Sequence, residues 1–444
     1  SSGMQNPVIV IPGITASELR DEYQVKPEGV WSAVVNHDYE RITLHPDDVR
    51  YERNEPARIR ADAVFNLPYG DLIAELRHNL TERADKPVPV YPFPYDWRLP
   101  LSQTVEQLHA FVEEVIDRTK LMRHYDRDDF GNNPHVDLVG HSMGGLVIGG
   151  YLVAHGSAKR TGKIATLGTP FGGSYEAPIK VLTGTASLGA AESSSREREA
   201  SRITPALYHL VPRFQTQLSS GVQHAVVDQA GAPVDMFQAA NWQQGVLESL
   251  AEFIRMYAVD PPRSQRDRLV RTEVLLQKML NDADAYRTAV DGLSLSASSN
   301  GLQKSSWLCI AGVDAKTRIR LELEGRRFSL RSADRENFWS KSTDRILTGD
   351  GTVPLAGAVP DFLKSRNVVC VIPDDLGYWE IGDRAILGTV GFHGLLPKVN
   401  LVQRLVVAHL RGKSGRNDQG IWGRPMPGVS NGNWSPAISE LRIK

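Results

Sequence analysis

The sequence predicts an α/β fold: a doubly wound, mostly parallel sheet carrying a large helical cap or lid insertion. Three observations point to it. Short apolar runs, most of them rich in Val and Ile, recur at residues 8–11, 88–91, 136–139, 164–167, 307–311 and 368–372, each four or five residues long. Runs of that length without polar alternation read as strands covered on both faces, as in a parallel sheet. Helical periodicity fills several of the gaps between them, and strand alternating with helix is the pattern of a doubly wound sheet. Finally, residues 175–305 separate two of the runs, far more chain than an ordinary connection needs.

Taken in order, residues 4–174 form the first part of the core, interrupted by a mostly polar stretch, 21–62, that carries Trp31 but shows no clear strand. Within this part, residues 101–121 place Val105, Leu108, Phe111, Val112 and Val115 at helical spacing, and a second helix, 146–155, follows the third strand. Residues 175–305 form the cap. It opens on small and polar residues, with 183–202 a candidate hinge, and turns helical at 241–257 and 266–290. The second part of the core is 306–412, closed by a helix at 399–410. Residues 413–444, rich in Gly, Asn, Pro and Trp, read as a tail wrapped on the surface or partly disordered.

Composition narrows the function. Of 444 residues 41% are hydrophobic and 23% charged, with a formal net charge of −1, ordinary for a globular protein. No basic block argues for nucleic acid. Cys309 and Cys370 lie in apolar runs and read as core residues rather than a disulfide pair. Ser1 to Gly3 read as a cloning remnant ahead of Met4. With no charged leader and no apolar run near the ~18 residues of a membrane span, the expectation is a soluble, cytoplasmic protein. No metal-ligand spacing occurs and no cofactor is implied.

The chemistry concentrates in Gly140-His141-Ser142-Met143-Gly144, a G-x-S-x-G pattern. An apolar strand precedes it and a helical stretch follows, which is the strand, tight turn and helix of a nucleophile elbow and specifies the α/β-hydrolase fold. Such a turn lifts the serine Oγ above the sheet and sets the helix N-terminus behind it, where partial positive charge favours an oxyanion. A nucleophilic serine needs a base, and the base an acid to orient it, in this fold in the chain order serine, acid, histidine. His393, between the last strand and the last helix, is the best-placed base of twelve histidines, and Asp350, flanked by Gly349 and Gly351, the best-placed acid. Two backbone N–H donors should hold the oxyanion: that of Met143, after the nucleophile, and that of Ile14, in the loop after the first strand. The competing readings are an inert Gly-rich turn at Ser142, an Asp-Gly turn at Asp350 and a solvated loop histidine at 393.

With these segments in hand, the chain resembles the lecithin:cholesterol acyltransferase family, which includes lysosomal phospholipase A2. Six blocks match in order: PVIVIPGITAS from Pro7, YDWR from Tyr95, GHSMGG from Gly140, LGTPFGGS from Leu167, GDGTV from Gly349 and FHG from Phe392. YDWR and GTPFGGS are the more specific. The resemblance implies serine acyl chemistry on lipid esters, chiefly phospholipase A activity with acyl transfer in some members, and gives Ser142, Asp350 and His393 the triad and Ile14 and Met143 the oxyanion hole. The chain departs from the eukaryotic members in lacking their disulfide cysteines. Where the family has a membrane-contacting loop and lid, it carries only a small apolar patch at Val30, Trp31, Val34 and Val35.

The function expected is a phospholipase A-like ester hydrolase with an acyl-serine intermediate, open to acyl transfer, with a lipid or ester substrate and transient contact with a membrane surface. The alternatives are an esterase or lactonase on small soluble esters, and a non-catalytic binding protein on a hydrolase fold. Asp96 and Arg98 read as a structural pair. Val246, Leu250, Phe253 and Tyr257 line one helix face, read as core packing first and as an acyl-chain groove second. Arg263, Arg266, Arg268 and Arg271 read as a solvated face, or as contacts to anionic headgroups.

Overall fold

The computed structural model describes residues 4–23, 25–32, 37–54, 56–183, 195–296, 301–324, 327–333, 344, 346–376, 391–412, 422–427, 429 and 439–440. Val34, Val35 and most of the expected hinge at 183–202 lie outside them.

The apolar runs become the strands of one eight-stranded sheet: β1 (Val8–Ile11), β2 (Val90–Pro92), β3 (Val136–His141), β4 (Thr161–Leu167), β5 (Trp307–Gly312) and β6 (Val368–Val371), extended by β7 (Trp422–Pro425) and β8 (Ser439–Glu440). The spatial order is β2-β1-β3-β4-β5-β6-β7-β8. Strands β1 to β6 pair in parallel, and β7 is antiparallel to β6. The chain leaves β1 for β2 on one side and returns to β3 on the other. Such a reversal opens a crevice at the carboxyl end of the strands, where ligands of open α/β sheets bind.

Burial on both faces explains why the strands read as unbroken apolar runs. Val8 and Val10 pack with Tyr69, Leu72 and Leu76 of α1 (Asn66–Leu80), and with Leu401, Val402 and Leu405 of the last helix, Asn400–Leu410. Ile9 and Ile11 point the other way, into a cluster with α2 (Leu101–Lys120), α3 (Met143–His155) and the long cap helix Gln265–Asp291. Cys309 and Cys370 are free and buried in this sheet.

Four features differ from the sequence reading. Residues 21–62 are not strandless: Ser17–Asp21, Glu28–Trp31 and Ile59–Val64 form a three-stranded sheet. Its exposed side is charged, with Arg20 bridging Glu22 and Asp62, so the alternation lacked an apolar signature. Val30 and Trp31 are core residues rather than a surface patch, Trp31 stacking on His37 and packing edge-on to Trp97. The cap is not purely helical: Gln215–Leu218 and Gly221–His224 form a hairpin, and Val226–Asp228 pairs in parallel with Thr317–Glu324 from beyond the cap. The described parts of the tail, β7 and β8, complete the sheet edge, with Arg424 held by Asp375 at 2.5 and 2.9 Å.

In the cap helix Gln244–Tyr257, Val246, Leu250, Phe253 and Ile254 are buried, so this face is core packing. Arg271 pairs with Asp47, Arg268 bonds the carbonyls of Pro262 and Arg263, and Arg263 and Arg266 are exposed. Among the described residues, no helix is long and apolar enough to cross a membrane.

Candidate active site

Strand β3 ends at His141 and helix α3 starts at Met143, leaving Ser142 alone to make the turn. Its φ of 54° and ψ of −128° lie where non-glycine residues rarely go, the strain expected of an elbow serine. The turn is held from below by the Ser142 N–H, which donates to the Leu167 carbonyl at 2.9 Å. Helix α3 can start this close to β1 because residue 144 is glycine: a Cβ there would lie 2.2 Å from the Ile11 carbonyl oxygen.

The three residues expected to act together are brought together. His393, in the helical turn 391–395, places Nε2 2.8 Å from Ser142 Oγ and Nδ1 2.5 Å from Asp350 Oδ2. Asp350 is 1% exposed. Its Oδ1 accepts the backbone N–H groups of Thr352, at 2.9 Å, and Val353, at 2.7 Å, so Oδ2 is the oxygen presented to the imidazole. Gly168 lies beneath this pair with φ +59°; a Cβ there would come 2.9 Å from Asp350 Oδ2 and 3.1 Å from His393 Nδ1.

The loop after β1 presses on the serine. A Cβ on Gly13 would lie 3.0 Å from Ser142 Cβ and 3.5 Å from its Oγ. Among the described residues, neither the Ile14 N–H nor the Met143 N–H has a hydrogen-bond partner, whereas the Gly13 N–H is taken by Tyr69 Oη at 2.9 Å. The YDWR segment fixes this loop from the side. Tyr95 donates its hydroxyl to the Pro12 carbonyl at 2.8 Å and Trp97 its Nε1–H to the Ser17 carbonyl at 3.1 Å. Arg98, 1% exposed, bonds Asp96 through two nitrogens at 2.9 and 2.7 Å, Glu52 at 3.3 Å and the Ile42 carbonyl at 2.9 Å. Asp96 and Arg98 thus join the 17–64 region to the core. Nearby, burial raises the Glu176 carboxyl above the ordinary range despite its pairing with Arg318 at 3.3 Å.

Sequence reasoning passed over two buried residues of the site, Tyr69 and His141. His141 stands inside the elbow motif, but nothing in the pattern ties it to a tyrosine 72 positions earlier. A cavity of about 800 Å³ lies between the cap and the core, lined among others by Phe171, Phe214, Met236, Phe237 and Leu355; neither Ser142 nor His393 lines it.

This geometry supplies an oriented serine–histidine–carboxylate line with two unused backbone donors beside the serine, the equipment for acyl transfer. Comparison with known proteins bears on the fold and the family. The model of the lecithin:cholesterol acyltransferase family matches residues 71–259, which include the elbow. The crystal structure of the Tle4–Tli4 complex is similar in fold, with a TM-score of 0.54 at 15% identity over 80% of this chain and 89% of that one. Among curated proteins there is no match.

Proposed function

We propose that this chain, an α/β-hydrolase in fold whose residues 71–259 match the lecithin:cholesterol acyltransferase family model, cleaves carboxylic esters of lipids, as a phospholipase A does, through an acyl intermediate on Ser142. The observation that carries this reading is the hydrogen-bonded line from Ser142 Oγ through His393 to Asp350. The family match is what favours a lipid over a small soluble ester.

In this mechanism the neutral His393 carries its proton on Nδ1, facing Asp350, and turns the Nε2 lone pair to the serine. As Ser142 Oγ bonds to the ester carbonyl carbon, its proton passes to Nε2. The carbonyl oxygen becomes an oxyanion held by the N–H groups of Ile14 and Met143. Asp350 stays ionised and stabilises the imidazolium. Collapse of the adduct breaks the bond to the alcohol, which leaves with the proton from Nε2. Water then gives a proton to Nε2, attacks the acyl carbon and releases the acid, and Ser142 recovers its proton. A second alcohol in place of water would give acyl transfer.

A fluorophosphonate probe tests the assignment without knowledge of the substrate. Stoichiometric labelling mapped by mass spectrometry to Ser142, absent in Ser142→Ala, is the expected result. Labelling at another residue, or none in the folded wild type, would overturn it.

A further inference from the structure

Three segments must keep register for the proposed chemistry: the loop after β1, the elbow, and the turn carrying His393. One buried line of hydrogen bonds runs through all three. The Gly13 N–H donates to Tyr69 Oη at 2.9 Å, Tyr69 Oη lies 2.7 Å from His141 Nδ1, and His141 Nε2 lies 2.8 Å from the His393 carbonyl oxygen. Tyr69 is 0% and His141 5% exposed, so no solvent substitutes for a missing partner.

The polarity of the line is fixed by its two ends. A carbonyl only accepts, so His141 carries its hydrogen on Nε2. In the neutral ring Nδ1 is then an acceptor, which makes Tyr69 the donor. The tyrosine oxygen in turn accepts from Gly13, whose N–H can only donate. A charged His141 would place a second N–H at Nδ1 and leave the Tyr69 proton with no acceptor along the line. Burial disfavours that form, pushing the His141 pKa down to about 3.

We propose that Tyr69 and His141 are positioning residues, a one-way hydrogen-bond relay that sets the oxyanion loop against the nucleophile and the base. The inference rests on the ester-hydrolase reading. The bond anchors the loop at Gly13, one residue before the Ile14 N–H, which is left unused beside Ser142. His141 is the residue next to the nucleophile, and His393 supplies the base through its ring and the relay terminus through its carbonyl.

Tyr69→Phe removes the relay's central hydroxyl and keeps the buried ring. Turnover on a p-nitrophenyl ester is read per active site counted by fluorophosphonate titration. The expected result is a kcat lower by ~10²-fold, the cost of misplacing a reacting group by about an ångström, with little change in KM. Leu72→Ala, on the same buried helix face, serves as the packing control: it loses stability and keeps its kcat per titrated site. A Tyr69→Phe enzyme with wild-type kcat per site would overturn the relay. Wild type that neither turns over esters nor labels would instead overturn the hydrolase reading. Nitrogen-15 NMR of the His141 ring tests the relay without activity: it should be the neutral Nε2–H tautomer, and a neutral Nδ1–H tautomer would refute it.

Discussion

Asp350→Asn isolates the role of the acid with almost no change of shape. In the wild type Oδ1 accepts two backbone N–H groups and Oδ2 faces His393 Nδ1 at 2.5 Å. The asparagine must keep its carbonyl oxygen toward Thr352 and Val353, because turning the amide NH2 there would set donor against donor. Its NH2 group therefore points at His393 and forces the ring to accept at Nδ1. The ring proton then moves to Nε2 and faces Ser142 Oγ, from which it can no longer take a proton. A wrong tautomer in a triad costs ~10⁴ in kcat, or about 5 kcal/mol of activation free energy. Asp350→Ala serves as comparison, since it also strands two buried donors at about 1–3 kcal/mol each. The assay is p-nitrophenyl butyrate hydrolysis at saturation, beside urea unfolding of all three proteins. The expected pattern is both variants inactive, with KM little changed in Asp350→Asn and only Asp350→Ala strongly destabilised. An Asp350→Asn enzyme within tenfold of wild type would refute the tautomer argument.

Two further outcomes follow from buried charge. Arg98→Ala leaves Asp96 and the Ile42 carbonyl without their buried partner and should lower unfolding free energy by about 3–5 kcal/mol, measured in urea; a loss under about 1 kcal/mol would show that the ion pair is not what joins the 17–64 region to the core. Acid should destabilise the fold well above the pH at which carboxylates titrate. Burial lowers His141 to about 3 and His209 and His409 to about 4, so below pH 6.5 the unfolded chain takes up three protons that the folded chain refuses. Burial raises Asp137 to about 6, which returns one proton to the folded side, and it also raises Glu176 and Asp291, which blunts the fall toward the acid end of the window. Stability should therefore fall as pH drops from about 6 to 4, by up to ~3 kcal/mol per pH unit; a flat profile in that window would contradict the burial of these rings.

The sheet core and the three residues that meet at the serine were legible because each rests on local signals: unbroken apolar runs for β1 to β6, and Gly-flanked motifs for Ser142, Asp350 and His393. What stayed hidden depends on partners remote in sequence. Ser17–Asp21 reads as a charged stretch until Arg20 meets Asp62 across the small sheet. Residues 422–425, in a segment of Gly, Asn and Pro, become a strand because β6 offers an open edge. Val30 and Trp31 looked like a patch because neither Trp97 nor His37 can be placed beside them from spacing alone. Tyr69 and His141 were invisible as a pair because α1 and the elbow meet only through the packed sheet.

The central claim, ester cleavage of a lipid through Ser142, is tested most directly by incubating wild type and Ser142→Ala with mixed phospholipid vesicles and identifying the products by mass spectrometry. The wild type should release free fatty acid and lysophospholipid, with turnover lower by ~10⁴-fold or more in Ser142→Ala. Unchanged release by Ser142→Ala would contradict the mechanism, and a wild type that leaves every vesicle lipid intact while cleaving p-nitrophenyl butyrate would contradict the lipid substrate.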